Sequence, residues 1–263
     1  MKINLDKYYT PSYIAEHCVS TTKKMVGVDN ITEYLEPSAG GGVFLQYLDV
    51  AYLAYDIEPE CTSVIEQDYL KTDIPYKKGR CIIGNPPFGT RNTLSVKFYK
   101  HSCKIGDYIA FILPASQYNN NQQMYEFDLI HSEMLPIVEF SGRKLLCCFN
   151  IYSRPKNGLN KAPIDYTLSD ITVLEWRRGG NYKAPLKYDF GICAWGSIGK
   201  EIKFQGQYAS ENYIIVNNHR YRTKVIDVMR KAKWNTLYPC IATPRLVQWK
   251  IYKYLKDCIP EIS

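Results

Sequence analysis

The residues best suited to chemistry form the tetrapeptide Asn85-Pro86-Pro87-Phe88, which follows an apolar run over residues 81–84. The carboxamide oxygen of Asn85 can accept one N–H, and a backbone carbonyl of the proline pair, held by fixed φ angles, can accept a second. Phe88 adds a flat apolar face on which a base can stack. The tetrapeptide therefore predicts a site for a planar amine and the ring that carries it. Taken alone, it fits a Pro-Pro turn after a strand equally well.

A glycine turn upstream has the composition of a nucleotide-type site. After a strand predicted at 32–36, the turn comprises Glu36, Pro37, Ser38, Ala39, Gly40, Gly41 and Gly42. Glycines let the backbone approach a ligand, and the N-terminus of a helix, predicted here at 42–48, would lie beside it. The turn is not GxGxxG, so a dinucleotide is not its natural ligand.

Two carboxylates follow strands further along the chain. Asp56 ends the strand predicted at 51–55, about 20 residues past the glycine turn, where a carboxylate can take both ribose hydroxyls. Asp68 follows the strand predicted at 64–67 and can accept a hydrogen bond from an adenine amino group. For Asp56 the alternative is a strand-end residue that caps a turn. Only eleven residues separate the two acids, so a helix between these strands must be very short or absent.

The N-terminal segment supplies a further element, Tyr9-Thr10-Pro11, followed by apolar residues at helical spacing. We predict a helix over 11–25 in which Thr10 is the N-cap and Pro11 occupies the first helical position.

In this order the motifs resemble those of the S-adenosylmethionine-dependent DNA adenine-N6 methyltransferases of the γ type, over roughly residues 5–155. The resemblance implies catalytic roles for Asn85, Pro86, Pro87 and Phe88. It implies cofactor contacts from Tyr9, Thr10, Pro11, Glu36, Pro37, Ser38, Ala39, Gly40, Asp56, Ile57, Asp68, Tyr69 and Asn85. It also implies a second stacking aromatic from the hairpin after the sixth strand, for which Phe140 is the first candidate and Phe149, more typical of sheet core, the second.

The same resemblance predicts an α/β fold of the class I methyltransferase type, with a mostly parallel, seven-stranded, doubly wound sheet and a small basic C-terminal recognition region. Residues 1–154 would form the catalytic domain and 155–263 the target-recognition region. The strands are predicted at 32–36, 51–55, 64–67, 80–84, 107–113, 136–140, 145–152 and 171–176. The helices are predicted at 11–25, 42–48, 94–104, 122–133, 222–233 and 244–257.

The charge distribution supports a polyanionic partner. Residues 1–139 contain 12 Lys and Arg against 17 Asp and Glu, whereas residues 140–263 contain 21 against 9. The densest basic stretch, 217–256, also carries interleaved aromatics, a composition that suits phosphate contacts and stacking. The predicted nucleic-acid contacts are Arg143, Lys144, Arg177, Arg178, Arg220 and Arg222.

Together these features predict transfer of a methyl group from S-adenosylmethionine to N6 of a flipped adenine in double-stranded DNA. The recognition region is small, so either a short target site or help from a second protein chain or a homodimer is expected. An RNA methyltransferase acting on adenine N6 or guanine N2, or an enzyme acting on a protein glutamine amide, remains open. So does a catalytically idle nucleic-acid-binding subunit, against which the intact glycines, Asp56 and tetrapeptide argue.

The remaining composition predicts a cytoplasmic protein with no membrane association, because no apolar run approaches 18 residues and no signal peptide is evident. Nine cysteines without a CxxC pair predict reduced core thiols and no metal site.

Overall fold

The computed structural model describes residues 9–140, 143–181, 183–238 and 244–263. The chain divides into two units, Met1–Ile164 and Asp165–Ser263, each with its own hydrophobic core. The division follows residue 164, whereas the sequence placed it after residue 154. Among the described residues, no helix is long and apolar enough to cross a membrane. The described cysteines are free thiols, and most of them are buried.

Among the described residues, the first unit has nine strands, and seven of them form one sheet. They are β1 (Glu33–Glu36), β2 (Tyr52–Asp56), β3 (Ile65–Glu66), β4 (Arg80–Gly84), β5 (Tyr108–Pro114), β6 (Asp128–Met134), β7 (Val138–Phe140), β8 (Arg143–Leu145) and β9 (Cys147–Ser153). The sheet has the order β3-β2-β1-β4-β5-β9-β6. Neighbouring strands from β3 to β5 are parallel, and β9 is antiparallel to both β5 and β6. The prediction of a mostly parallel, seven-stranded sheet is confirmed.

Two helices cover opposite faces of this sheet because successive strand residues point to opposite sides. Helix α1 (Ser12–Val26) packs in a cluster with Cys81 and Ile83, whereas helix α2 (Thr93–Ile105) packs in a cluster with the intervening Ile82. Every residue of β4 is buried, as expected of a central parallel strand covered on both faces. The apolar run before the tetrapeptide therefore holds it at the edge of a rigid core.

The helix predicted at 122–133 is wrong, because this region contains β6 instead. Strand β6 pairs antiparallel with β9 over most of its length. Just before the strand, the N–H of Phe127 donates to the Tyr99 hydroxyl at 2.8 Å rather than to a helical carbonyl. Long-range pairing with a fully buried strand has outweighed the local helical pattern.

Three further predictions in this unit differ from the structure or are refined by it. The α-helix predicted at 42–48 is wrong: the segment forms tight turns and a single 3₁₀ turn, Leu45–Tyr47, after Gly42 at φ +75°. The strand predicted at 136–140 is present as β7, but it pairs with β8 in a separate hairpin rather than in the sheet. Between Asp56 and Asp68 the chain forms turns and β3 without a helix, as the short spacing predicted.

The second unit is built on a three-stranded antiparallel sheet covered by helices. Its elements are β10 (Ile171–Arg177), β11 (Phe190–Cys193), β12 (Ser210–Val216), α3 (Arg222–Lys231), α4 (Trp234–Leu237) and α5 (Gln248–Cys258). Strand β12 lies between β10 and β11. The sequence predicted β10, α3 and α5 but missed the other two strands, because β11 is short and β12 is interrupted by buried polar residues such as Glu211 and Asn212.

Candidate functional site

A cavity of about 460 Å³ lies where β1, β2 and β4 end. Its walls include Glu36 and Asp56, the last residues of β1 and β2, and Asn85, which follows β4. The strand order reverses between β1 and β4, since β2 and β3 lie on one side of β1 and the later strands lie on the other. Such a switch point at the carboxyl ends of parallel strands is where open α/β sheets bind ligands.

The glycine turn is fastened to the end of β2 by Asp56. One carboxylate oxygen of Asp56 accepts the N–H of Gly40 at 2.8 Å, and the other accepts the N–H of Glu58 at 2.8 Å. Gly40 has φ +51°, a conformation that favours glycine. A carboxylate offers about four lone-pair sites. Asp56 is therefore held in place by the backbone and can still accept hydrogen bonds from a ligand's hydroxyl groups.

Glu36 is a buried acid at the cavity wall. Only 2% of its surface is exposed, and within the described part of the chain its Oε2 atom has no hydrogen-bond partner. Burial, followed by the nearby Asp56 and Cys61, raises its pKa well above the usual value. A Cβ at Gly84 would lie 3.3 Å from the Glu36 Cγ, so the glycine on β4 leaves room for this side chain. Such a carboxyl group would be stabilised by a cationic or hydrogen-bond-donating ligand.

Asn85 connects three segments that are distant in sequence. Its Nδ2 donates to the Thr10 Oγ1 at 3.2 Å, and its backbone carbonyl accepts the Ser38 hydroxyl at 3.2 Å. Helix α1 begins at Ser12 after an N-cap at Pro11, and no side chain caps it. The predicted capping role of Thr10 and the predicted helical position of Pro11 are therefore wrong. The Thr10 hydroxyl instead accepts from the NH₂ group of the Asn85 carboxamide.

The carbonyl groups of the tetrapeptide are not equivalent. The Ser95 hydroxyl donates to the Pro87 carbonyl at 3.2 Å, and the N–H of Leu94 donates to the Phe88 carbonyl at 3.2 Å. Across the described residues, no group donates to the Pro86 carbonyl. The sequence left open which proline carbonyl would serve as an acceptor, and helix α2 engages the second one.

Phe88 and the loop after it lie beside the cavity rather than in its wall. The Phe88 ring is half-buried and packs against the core cluster that includes α1. The following loop has three residues with positive φ: Gly89 at +66°, Arg91 at +54° and Asn92 at +64°. For Arg91 and Asn92 this conformation is strained, and such strain clusters at functional sites.

Asp68 and Tyr69 border the cavity from the β3 side. The Asp68 carboxylate accepts the N–H of Leu70 at 3.1 Å and lies 3.3 Å from the Lys71 ammonium. The Tyr69 ring is in the core, where its hydroxyl lies 2.8 Å from the Ser102 hydroxyl and burial raises its pKa. Asp68 thus faces the cavity as a fixed acceptor, while the Tyr69 hydroxyl is committed to the core.

The structure brings almost all predicted cofactor residues to this one cavity, and Pro11 is the exception. The tetrapeptide contributes Asn85, Pro86 and Pro87. Gly41 of the glycine turn also lines the cavity, and the lining residues that the sequence did not single out are Val43, Phe44, Gln46, Glu60, Gln67, Leu70, Leu94 and Phe98. Most of them are apolar, and the only available signal was the i, i+4 spacing of Leu94 and Phe98 on α2, which equally predicts a core face.

The aromatic and basic predictions have mixed outcomes. For Phe140, Arg143 and Lys144 the structure describes the backbone in β7 and β8, and the predicted roles of their side chains lie outside what is described. Phe149 is fully buried in the sheet core.

The four arginines predicted in the second unit make contacts within that unit. Arg177 pairs with Glu175 at 3.1 Å, and Arg222 pairs with Asp189 at 2.7 Å. Arg178 donates to a backbone carbonyl, and Arg220 lies over the adjacent tyrosine ring. Two of the four charges are thus compensated by acids.

No protein-family profile matches the chain, and no curated protein sequence matches it. Solved structures are similar at the level of the fold. A proposed RNA methyltransferase from Pyrococcus horikoshii has 17% identity, with 59% of this chain and 89% of that chain covered and a TM-score of 0.47. A proposed class I S-adenosylmethionine-dependent methyltransferase from Listeria monocytogenes has 13% identity, coverages of 63% and 65%, and a TM-score of 0.45.

A methyltransferase subunit of a type I restriction-modification system from Streptococcus thermophilus has 14% identity, with 57% of this chain and 45% of that chain covered and a TM-score of 0.43. The strand order of the first unit, with antiparallel β9 inserted between β5 and β6, is that of the class I methyltransferase fold.

Proposed function

We propose that this chain is an S-adenosylmethionine-dependent methyltransferase that acts on N6 of adenine in double-stranded DNA. The observation that carries the proposal is the position of Asn85. Its carboxamide is oriented by Thr10 at the end of β4 and borders the same cavity as the glycine turn and the strand-end acids.

The residues around the cavity fit S-adenosylmethionine. Its volume lies in the range of small-molecule sites. Asp56 would accept the ribose hydroxyls, and Asp68 would accept the adenine amino group beside the apolar Leu94 and Phe98. The orphaned carboxyl of Glu36 suits the methionine end, which carries an ammonium and a sulfonium charge. When bound, the cofactor supplies the electrophilic methyl group.

The tetrapeptide would hold the amine that receives the methyl group. The N6 lone pair of adenine is delocalised into the ring, so the amine is a poor nucleophile. Two acceptors, Oδ1 of Asn85 and the carbonyl of Pro86, would draw the two N–H bonds toward tetrahedral geometry and localise the lone pair. Ser95 supports this role by engaging the neighbouring Pro87 carbonyl and fixing the turn. Alignment then contributes most of the rate enhancement.

Base flipping would bring adenine to this position, because a base inside a duplex cannot reach such a site. The half-buried ring of Phe88 would stack on the flipped base. The second unit supports a nucleic-acid substrate through its charge: it has 16 Lys and Arg against 9 Asp and Glu, whereas the first unit has 17 of each. Most of the favourable phosphate contacts would therefore come from the second unit.

The test is methyl transfer from labelled S-adenosylmethionine to unmethylated DNA, followed by digestion and analysis of the nucleosides. We expect N6-methyladenine from the wild type and none from Asn85→Ala. Asn160→Ala is the matched control, because its side chain makes two hydrogen bonds, to the Tyr125 carbonyl at 3.0 Å and to Asp128 at 2.9 Å, and it does not line the cavity.

Calorimetric titration with S-adenosylmethionine accompanies the assay. Absence of binding to the wild type would overturn the whole proposal. Binding with methylation of RNA or protein, and none of DNA, would overturn the substrate assignment alone. Equal activity of Asn85→Ala and wild type would overturn the role of the tetrapeptide.

A further inference from the structure

The positive charge of the second unit is distributed unevenly once its ion pairs are considered. Five of the ten cations in residues 217–256, the stretch that is densest in the sequence, have acidic partners. These pairs are Arg222–Asp189, Lys224–Glu261, Arg230–Glu201, Arg245–Glu175 and Lys253–Asp257. Paired charges attract a polyanion weakly. These five cations therefore contribute less to polyanion binding than their number along the chain suggests.

A separate group of basic residues lies where β10 ends and β12 begins. Residues 177–188 contain four Lys and Arg and no acid. We call residues 177–181, 183–187 and 203–208 the basic tip. Within the part of the unit that is described, Lys183, Lys187 and Lys203 have no acidic partner within 4.0 Å.

The two segments of the basic tip are joined by direct contacts. The Arg178 side chain donates to the Gly206 carbonyl at 3.0 Å, and its backbone N–H donates to the Ala209 carbonyl at 2.9 Å. The Gln205 side chain donates to the Pro185 carbonyl. Residues on the two segments therefore form one continuous surface.

The buried acid Glu211 fixes the backbone of the 203–208 loop. Glu211 is fully buried on β12, and its carboxylate accepts the N–H of Gly206 at 2.9 Å and that of Tyr208 at 2.8 Å. The Tyr213 hydroxyl donates to the same carboxylate. Burying a carboxylate is costly unless several donors satisfy it. The donors here come largely from the loop backbone, so the loop is fixed in one conformation before any partner arrives.

This fixed loop exposes large apolar side chains among cations. Phe204 is 63% exposed, and on the joined segment Leu186 is 98% exposed. Isolated exposed apolar residues are ordinary, but a pair on one preorganised, uncompensated basic surface is not. Cations next to an exposed ring match the chemistry of nucleic acid, where phosphates flank stacked bases.

We infer that the basic tip is the surface of the second unit that contacts the DNA duplex. Lys203, with Lys183 and Lys187, would bind phosphates, and Phe204 would insert against the bases as an apolar wedge. The inference rests on the proposed function for the nature of the substrate. It assigns recognition to the loops that contain the predicted contacts Arg177 and Arg178, in addition to which the sequence pointed to the stretch 217–256.

Salt-dependent binding tests the phosphate contacts. The affinity of the full-length protein for a labelled duplex is measured by fluorescence anisotropy at several salt concentrations. Each lost phosphate contact lowers the slope of log K against log salt by about one. We expect this change in Lys203→Ala and not in Lys224→Ala, the matched control whose ammonium is paired with Glu261. Equal slopes for both variants, or a lower slope only in Lys224→Ala, would overturn the inference.

The wedge is tested with Phe204→Ala against Trp195→Ala, a control with a similarly exposed aromatic (57%) outside the tip. Loss of one stacking contact should weaken duplex binding roughly tenfold in Phe204→Ala. Equal affinities of both variants and the wild type would refute the wedge. Calorimetric cofactor binding is measured on the same samples. If the tip variants lose duplex binding while the wild type methylates no DNA, the proposed function fails and the tip's role in binding stands.

Discussion

The hydrogen bond between Thr10 and Asn85 offers the sharpest test of how the site is built. It joins residues 75 positions apart, and it holds the NH₂ group of the carboxamide toward Thr10. We predict that Thr10→Val, which keeps the shape of the side chain and removes its oxygen, lowers the turnover number. Thr10→Ser keeps the hydroxyl and should retain most of the activity.

The magnitude follows from the geometry. The donor–acceptor distance of 3.2 Å is at the long end of the normal range, so the bond contributes about 1 kcal/mol. Without it the carboxamide can rotate and present its NH₂ group to the substrate amine, where a donor opposes a donor. A loss of about 1.4 kcal/mol corresponds to a tenfold lower rate. The loss of about 1 kcal/mol therefore predicts a reduction of roughly fivefold in Thr10→Val.

A double-mutant cycle separates this effect from any direct contact between Thr10 and the cofactor. In Asn85→Asp both terminal atoms are oxygen acceptors, so no orientation is wrong. Removing the Thr10 hydroxyl in that background should cost little, giving a coupling energy of about 1 kcal/mol between the two positions. Methyl transfer is measured for all four proteins at saturating S-adenosylmethionine. An equal loss in both backgrounds would refute the reasoning and make Thr10 a cofactor contact only.

Three further predictions follow from the described contacts. Ser95→Ala and Ser102→Ala each remove a buried hydroxyl from α2, and each should lower the free energy of unfolding in urea by about 1 kcal/mol. Only Ser95→Ala should also lower turnover, because it removes the donor to the Pro87 carbonyl. Glu36 has a raised pKa in the folded state, so as pH rises above about 4.3 the carboxyl ionises first in the unfolded chain and the wild type loses stability. Glu36→Gln should lack this pH dependence. The same change of melting temperature with pH in both proteins would contradict the prediction. Gly199→Ala would put a Cβ 2.0 Å from the Trp234 Cδ1 at φ +81° and should cost about 3 kcal/mol or more, whereas Gly158→Ala, at φ +92° with nothing within 4 Å, should cost about 1–2 kcal/mol in the same unfolding measurement.

The parts of the site that the sequence predicted are those whose chemistry is local. The tetrapeptide, the glycine turn and Asp56 each combine a residue type with a position at the end of a strand, and both can be read along the chain. Leu94 and Phe98 could not be predicted as cavity residues, because an apolar side chain that lines a cavity has the same type and spacing as one in the core. For Thr10 the sequence predicted a local role that the structure does not show. A threonine before a proline is a capping signal, but the partner of the Thr10 hydroxyl is Asn85, 75 positions away.

The same distinction between local and spatial information applies to the basic residues of the second unit. Summing charges along the chain pointed to residues 217–256, but acids from other parts of the sequence pair with five of its ten cations, as with Arg222 and Asp189 or Arg230 and Glu201. A polyanion is attracted by the charge that remains after such pairs form. The basic tip has fewer cations in a row, yet Lys183, Lys187 and Lys203 have no acidic partner in the described structure. Local density of basic residues therefore overestimates the helices as a binding surface and underestimates a loop that the fold holds rigid through Glu211.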